Sequence, residues 1–222
     1  DYLKAISNWG NSLFKLGKSK GGDEGALLLA QAEEKYQAAI KIKPDDALAL
    51  TNFGGILIKK IRQAKPEEVD ELIERAQDFL KQALEFGEDN PDALSYMAET
   101  LMEQARSKKG INAHPLLAEA RTKLQRAEEL QPGVGTYNMA KLMAQLANES
   151  GCREWLQKCK TSGALPVQAE LDKETSFSSM AQSKWFKGLW APVPVPAAKE
   201  DEEAKELAEE KEPKKEEANS PG

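Results

Sequence analysis

The chain is poor in the side chains that carry most enzyme and metal chemistry. It holds two cysteines, Cys152 and Cys159, and one histidine, His114. Three such residues cannot fill an ordinary four-ligand zinc site, and so little cysteine excludes a disulfide-stapled secreted module. We therefore expect a reducing intracellular compartment, with cytosol, plastid and mitochondrion left open. Long apolar runs are missing too. Stretches such as 47–50 and 56–58 are short, and a spanning helix needs about 18 or more consecutive apolar residues, so no transmembrane segment is expected. No charged-then-apolar leader opens the chain. It begins with Asp1 rather than Met, from which we expect that upstream sequence was removed, a cleaved organelle-targeting peptide being one way. A strong positive field is absent as well. The net charge is −6, and residues 199–222 alone carry ten acidic residues against five lysines. The remainder is close to neutral, so nucleic acid is not an expected partner.

No catalytic constellation can be assembled from what remains. His114 stands before Pro115 at a helix start and reads as local turn chemistry. No glycine-rich phosphate loop links a strand to a helix, and Lys20-Gly21-Gly22 reads as a turn. Neighbouring carboxylates such as Glu33-Glu34 and Glu67-Glu68 are expected on solvated helix faces when 31% of residues are charged. Neither an enzyme nor a bound cofactor is expected.

What the sequence does contain is an internal repeat. Small residues recur at Gly10, Gly54 and Ala98, a period of 44. Leu13, Leu57 and Leu101 follow each by three. Then come Ala32, Ala76 and Ala120; Tyr36, Leu80 and Leu124; Ala39, Ala83 and Ala127. Ala32, Tyr36 and Ala39 lie at i, i+4 and i+7, one face of a helix. Each unit reads as two helices. The first covers 2–18, 47–64 and 92–108; the second covers 24–42, 67–86 and 115–130. Turns at Lys20-Gly21-Gly22, Lys65-Pro66 and Lys109-Gly110 separate them. The small residues let two backbones approach, and Tyr36, Leu80 and Leu124 fill the space beside them. Neither helix buries its apolar stripe alone, so neighbouring units must stack.

This pattern resembles the tetratricopeptide repeat family, whose unit places a small residue at position 8, Ala at 20, an aromatic at 24, Ala at 27 and Pro at 32. Gly10, Ala32, Tyr36, Ala39 and Pro44 follow that order, with ten extra residues between Gly10 and Ala32. The extra length recurs in all three units as a lengthened helix–turn–helix junction. A fourth unit has the family's usual spacing, from Ala140 to Cys152. Cys152 and Cys159 then occupy the slots of Ala120 and Ala127 and read as small packing residues rather than metal or redox groups. The resemblance implies an all-α, right-handed solenoid of about four helix pairs over 1–163, with units near 2–45, 46–89, 90–133 and 134–163.

In that family the first helix of each unit lines a concave groove, with ligand contacts at positions 6, 9 and 13. The register here implies Asn8, Asn52, Tyr96 and Asn138; Asn11, Gly55, Glu99 and Lys141; and Lys15, Lys59, Glu103 and Gln145. Asparagine both donates and accepts, so Asn8, Asn52 and Asn138 could pair with an extended peptide backbone; solvating or capping helices is their other use. A subgroup grips acidic chaperone C-termini with a two-carboxylate clamp. Asn11 and Asn52 match its pattern, but Ser7, Asp92 and Tyr96 replace its three cations, so clamp-type binding is not expected.

Residues 164–190 do not repeat the unit. A capping helix near 176–189 is one reading. The other is an exposed aromatic anchor for a partner or membrane surface, formed by Trp185, Phe186, Leu189 and Trp190. Residues 191–198 alternate Val and Pro and read as a semi-rigid linker, followed by a Glu/Lys-rich acidic tail at 199–222 that lacks a core of its own. The expected function is a protein–protein scaffold or adaptor, a subunit of a larger assembly holding a protein segment in its groove. The alternative is a targeting-peptide receptor in an organelle protein-import complex, with Glu99, Glu103 and the tail attracting basic presequences.

Overall fold

A computed structural model describes residues 2–108, 113–172 and 174–190. Two compact units divide the chain, Asp1–Leu189 and Trp190–Gly222. The expected linker and acidic tail at 191–222, and the turn at Lys109-Gly110, lie outside the described residues.

The first unit is built from helical hairpins and, among the described residues, has no strand. Four hairpins follow one another: α1 (Tyr2–Lys20) with α2 (Gly22–Ile42), α3 (Ala47–Ile61) with α4 (Pro66–Phe86), α5 (Pro91–Lys108) with α6 (Ala113–Leu130), and α7 (Thr136–Gln145) with α8 (Glu149–Thr161). Their starts are encoded locally. The side chains of Asp46, Asn90 and Asn148 accept backbone N–H bonds from Ala49, Ala93 and Gly151 at 3.1, 3.1 and 2.9 Å, satisfying donors that a helix start leaves free. Pro66 opens α4 where its missing N–H costs nothing, with Glu67 and Glu68 in the first turn. Gly21 and Gly22 turn the chain between α1 and α2 at φ of 63° and 56°, a region glycine adopts without strain.

The repeat seen in the sequence is the repeat of the core. Ala32, Tyr36 and Ala39 are fully buried, as are Ala76, Leu80 and Ala83, then Ala120, Leu124 and Ala127, then Cys152, Leu156 and Cys159. Gly10 and Gly54 are the notches opposite. A Cβ on Gly10 would lie 2.8 Å from Tyr36 Cε1, and one on Gly54 would lie 2.7 Å from Leu80 Cγ. Among the described residues, the extra length of units one to three goes into longer helices, of 15 to 21 residues in α1 to α6. α1 and α2 have 19 and 21 residues where α7 and α8 have 10 and 13.

The stretch after α8 differs from the expected capping helix over 176–189. It forms separate short turns: α9 (Gln168–Leu171), a 3-10 turn at Thr175–Phe177, α10 (Lys184–Lys187) and a 3-10 turn at Gly188–Trp190. Serines break it up. Ser183 ends one turn and starts the next, its Oγ accepting from Phe186 N at 3.3 Å, and serine favours such caps over helix interiors. The stretch still buries Leu171, Phe177, Met180, Phe186 and Leu189, the cover that an open solenoid end requires.

Candidate functional site

The first helices of the hairpins, α1, α3, α5 and α7, lie side by side and form one layer. Its polar residues stitch neighbouring hairpins together. Ser7 Oγ donates to Asp46 Oδ2 at 3.4 Å, Asn90 Nδ2 to Thr51 Oγ1 at 3.0 Å, and Ser95 Oγ to the Val134 carbonyl at 3.3 Å. Ser7, Thr51 and Ser95 are themselves 44 apart. Asn11 Oδ1 accepts from both Tyr36 Oη at 2.8 Å and Asn52 Nδ2 at 2.7 Å. Asn138 Nδ2 donates to Ser95 Oγ at 3.1 Å. Asn11, Asn52 and Asn138 thus use hydrogen-bonding capacity on the array itself. Asn8 and Lys15 are exposed, and Asn52, Lys59 and Tyr96 are half-buried.

Toward the C-terminal half the groove holds a charge cluster. Glu99 accepts from Lys141 Nζ at 2.6 Å and from Arg62 Nη2. Lys141 is 1% exposed and Glu99 7%, so both are fixed inside rather than offered to a ligand as the sequence suggested. Burial alone would raise the Glu99 pKa, but Lys141 and Arg62 override it and hold the carboxyl at about 2. Burial, then Arg62, pushes Lys59 below its ordinary value. Glu103, also buried, accepts from Arg106 Nη1 at 2.9 Å.

A second carboxylate arrives from outside the repeats. Glu174, just before the Thr175–Phe177 turn, sits 3.6 Å from Arg62 Nη2 and 3.7 Å from Lys141 Nζ. Burial opposes its charge too, and Lys141 and Arg62 bring its pKa below the usual carboxylate range. Beside it, Arg106 Nη2 donates to Ser176 Oγ at 3.2 Å. Phe177 is 1% exposed and packs against Tyr137 of α7, ring centroids 6.0 Å apart. A cavity of about 610 Å³ opens next to this strap, lined by Ile61, Arg62, Val69, Asp70, Arg106 and Thr175.

Sequence reasoning found Glu99, Glu103 and Lys141 but missed Arg62, Arg106 and Glu174. The arginines carried a signal: Lys18, Arg62 and Arg106 recur at the repeat period of 44. The exposed anchor expected from Trp185, Phe186, Leu189 and Trp190 is not formed. Phe186 and Leu189 are buried at 2% and 4% exposure, Trp185 donates its Nε1–H to Glu149 Oε1 at 2.6 Å, and Trp190 closes the last short turn. The apolar faces of Phe186 and Leu189 serve the end of the array instead. Cys152 and Cys159 are fully buried packing residues. Burial pushes their thiols up to about 12 and about 11, the opposite of what a reactive cysteine needs. Among the described residues no group of three or more His, Cys, Asp or Glu is placed to hold a metal, and no helix is long and apolar enough to cross a membrane.

Stacked helical hairpins with small-for-large packing define an α-solenoid of the tetratricopeptide type. The crystal structure of a thermophilic TPR protein from Thermus thermophilus has the same fold: it superposes with a TM-score of 0.61 over 90% of this chain and 97% of that one, at 16% sequence identity. Neither a protein-family model nor a curated protein sequence matches the chain.

Proposed function

We propose that this chain is a protein-interaction scaffold, an adaptor or assembly subunit that holds a segment of another protein along the layer of α1, α3, α5 and α7. The observation that supports this is the charge and exposure of the N-terminal half of that layer. Asn8, Lys15 and Lys18 are exposed and Asn52 and Lys59 half-buried, with Asn8 and Asn52, and Lys15 and Lys59, at equivalent positions of successive hairpins. Such a face offers hydrogen bonds and positive charge to an extended chain. It assembles no nucleophile, base and oxyanion donor, and the only thiols are buried.

The reading as a receptor for basic targeting peptides gains nothing from the groove. Glu99 and Glu103, the residues that would attract such peptides, are already paired with Arg62, Lys141 and Arg106. The uncovered charges, Lys15, Lys18 and Lys59, favour an acidic segment instead.

Site-directed photocrosslinking in native lysate tests the proposal. A crosslinker at Asn8 or Lys15 is expected to join the chain to another protein, identified by mass spectrometry. The same group at Glu34, exposed on α2, is the control. Equal crosslinking at both faces, or recovery of the chain only as a free monomer, overturns it.

A further inference from the structure

The strap at 174–177 crosses the ends of three hairpins: Glu174 meets Arg62 after α3 and Lys141 on α7, Ser176 meets Arg106 on α5, and Phe177 packs on Tyr137. Its pieces are held differently from the rest of the terminal cover. Leu171, Met180, Phe186 and Leu189 are buried apolar groups, whereas the strap places a carboxylate among cations. It leaves the neighbouring cavity of about 610 Å³ unfilled.

We propose that the strap is an intramolecular pseudoligand, and that the groove's partner is a protein segment carrying an acidic residue followed three positions later by an aromatic ring, which displaces Glu174 and Phe177. This deepens the scaffold reading and rests on it. The charge balance points to the acidic residue. Without Glu174, Arg62 and Lys141 keep Glu99 as their one close anionic partner, with Glu103 acting on Arg62 from further off while bonded to Arg106. Two buried or half-buried cations then share one close carboxylate, and an uncompensated buried charge is unfavourable. The site therefore requires an anion whichever chain supplies it. The hydrophobic requirement comes from Phe177, whose removal would open the face of Tyr137. Outside the strap, the exposed Lys15 and Lys18 continue the positive side of the groove toward α1, so a partner with further acidic residues could bind over a longer stretch than the strap does. The strap is a single 3-10 turn, and a competitor that supplies the same anion and ring lowers its occupancy by mass action.

The test uses the full chain and a fluorescein-labelled peptide with the sequence of residues 174–186. The Glu174→Ala/Phe177→Ala double variant is expected to bind the peptide at least tenfold more tightly than the wild type, whose site is self-occupied. Replacing the peptide's own glutamate by glutamine is expected to abolish most of that gain. A double variant that retains wild-type helical circular dichroism yet binds no more tightly than wild type overturns the proposal. Should the double variant lose helicity, the isosteric Glu174→Gln chain decides by hydrogen exchange. Amides at 176–178 are expected to exchange at least tenfold faster while those of α3, α5 and α7 keep their protection, and unchanged exchange at 176–178 overturns it. A partner that crosslinks at Asn8 or Lys15 but is not displaced by the peptide would leave the scaffold reading standing and sink the strap alone.

Discussion

Gly54 and Leu80 set how closely α3 lies against α4, and the absence of a methyl group decides it. A Cβ at Gly54 would come 2.7 Å from both Cγ and Cδ2 of Leu80, which is itself fully buried. Cγ is not the free end of a flexible chain, so the helices must move apart. Overpacking of this kind costs about 1–3 kcal/mol, while alanine recovers about 1 kcal/mol of helix propensity over glycine. We expect Gly54→Ala to lose roughly 1 kcal/mol net, a fall of about 2–4 °C in Tm for a chain of this length. Gly188 is the control: it is helical, at φ −79°, with nothing within 4 Å of a built Cβ, so Gly188→Ala should leave Tm unchanged or slightly raised. Thermal unfolding followed by circular dichroism compares the two. Unit three carries Ala98 opposite Leu124, both buried, so the methyl is tolerable where the hairpin is built around it. A Tm for Gly54→Ala at or above wild type would mean that unit two relaxes in the same way.

Between hairpins the decisive residues are those that serve two elements at once. Asn90 caps α5 by accepting from Ala93 N and also donates to Thr51 of α3, whereas Asn148 caps α8 with bonds that stay within its own neighbourhood. Loss of a cap costs about 1 kcal/mol, and a net hydrogen bond contributes about another. Asn90→Ala is therefore expected to cost roughly 2 kcal/mol against about 1 for Asn148→Ala, read as urea midpoints at unchanged m-value. Equal costs would deny that the α3–α5 bond stabilises the stack. This level of organisation was partly visible in the sequence. The first three hairpins and their notches follow from residues repeating every 44 positions, and the packing role of both cysteines from their match to Ala120 and Ala127 at a shift of 32, because stacking forces equivalent residues into equivalent burial. The end of the array was less legible, since Glu174 and Ser183 cap short turns inside a stretch whose apolar spacing suggested one helix. Glu174 was invisible for another reason. It has no counterpart in the repeats, and its pairing with Arg62 joins residues far apart in sequence. Asn11, Asn52 and Asn138 lie on the first helices of their hairpins, but their bonds to the array depend on distances that periodicity does not contain.

Across the whole array, stability depends on how far one charge cluster reaches. Repeat proteins are held together by nearest-neighbour interfaces, yet Glu99 on α5 binds Arg62 at the end of α3 and Lys141 on α7, and Glu174 bridges the same two cations. Three hairpins and the terminal cover thus share one electrostatic centre, and protonating its carboxylates loosens all of them together. The Glu99 pKa falls from an ordinary 4.5 to about 2 on folding, and that of Glu174 also falls. A carboxyl with a depressed native pKa binds protons more readily when unfolded, so its stabilisation is fully present above the unfolded value and disappears as pH drops through the folded one. Stability should therefore decline between about pH 4.5 and about pH 2. The Glu99→Gln variant should be less stable than wild type at neutral pH, since Arg62 and Lys141 lose their principal anion, and its stability should fall less steeply across that acidic window. Lys141→Met, which leaves Glu99 buried with Arg62 alone as a close partner, is expected to cost about 3–5 kcal/mol at neutral pH. Urea midpoints measured from neutral pH down to about pH 2.5 on the three chains decide it. Parallel pH profiles for wild type and Glu99→Gln would place the acid sensitivity elsewhere and remove this cluster as the centre of the array.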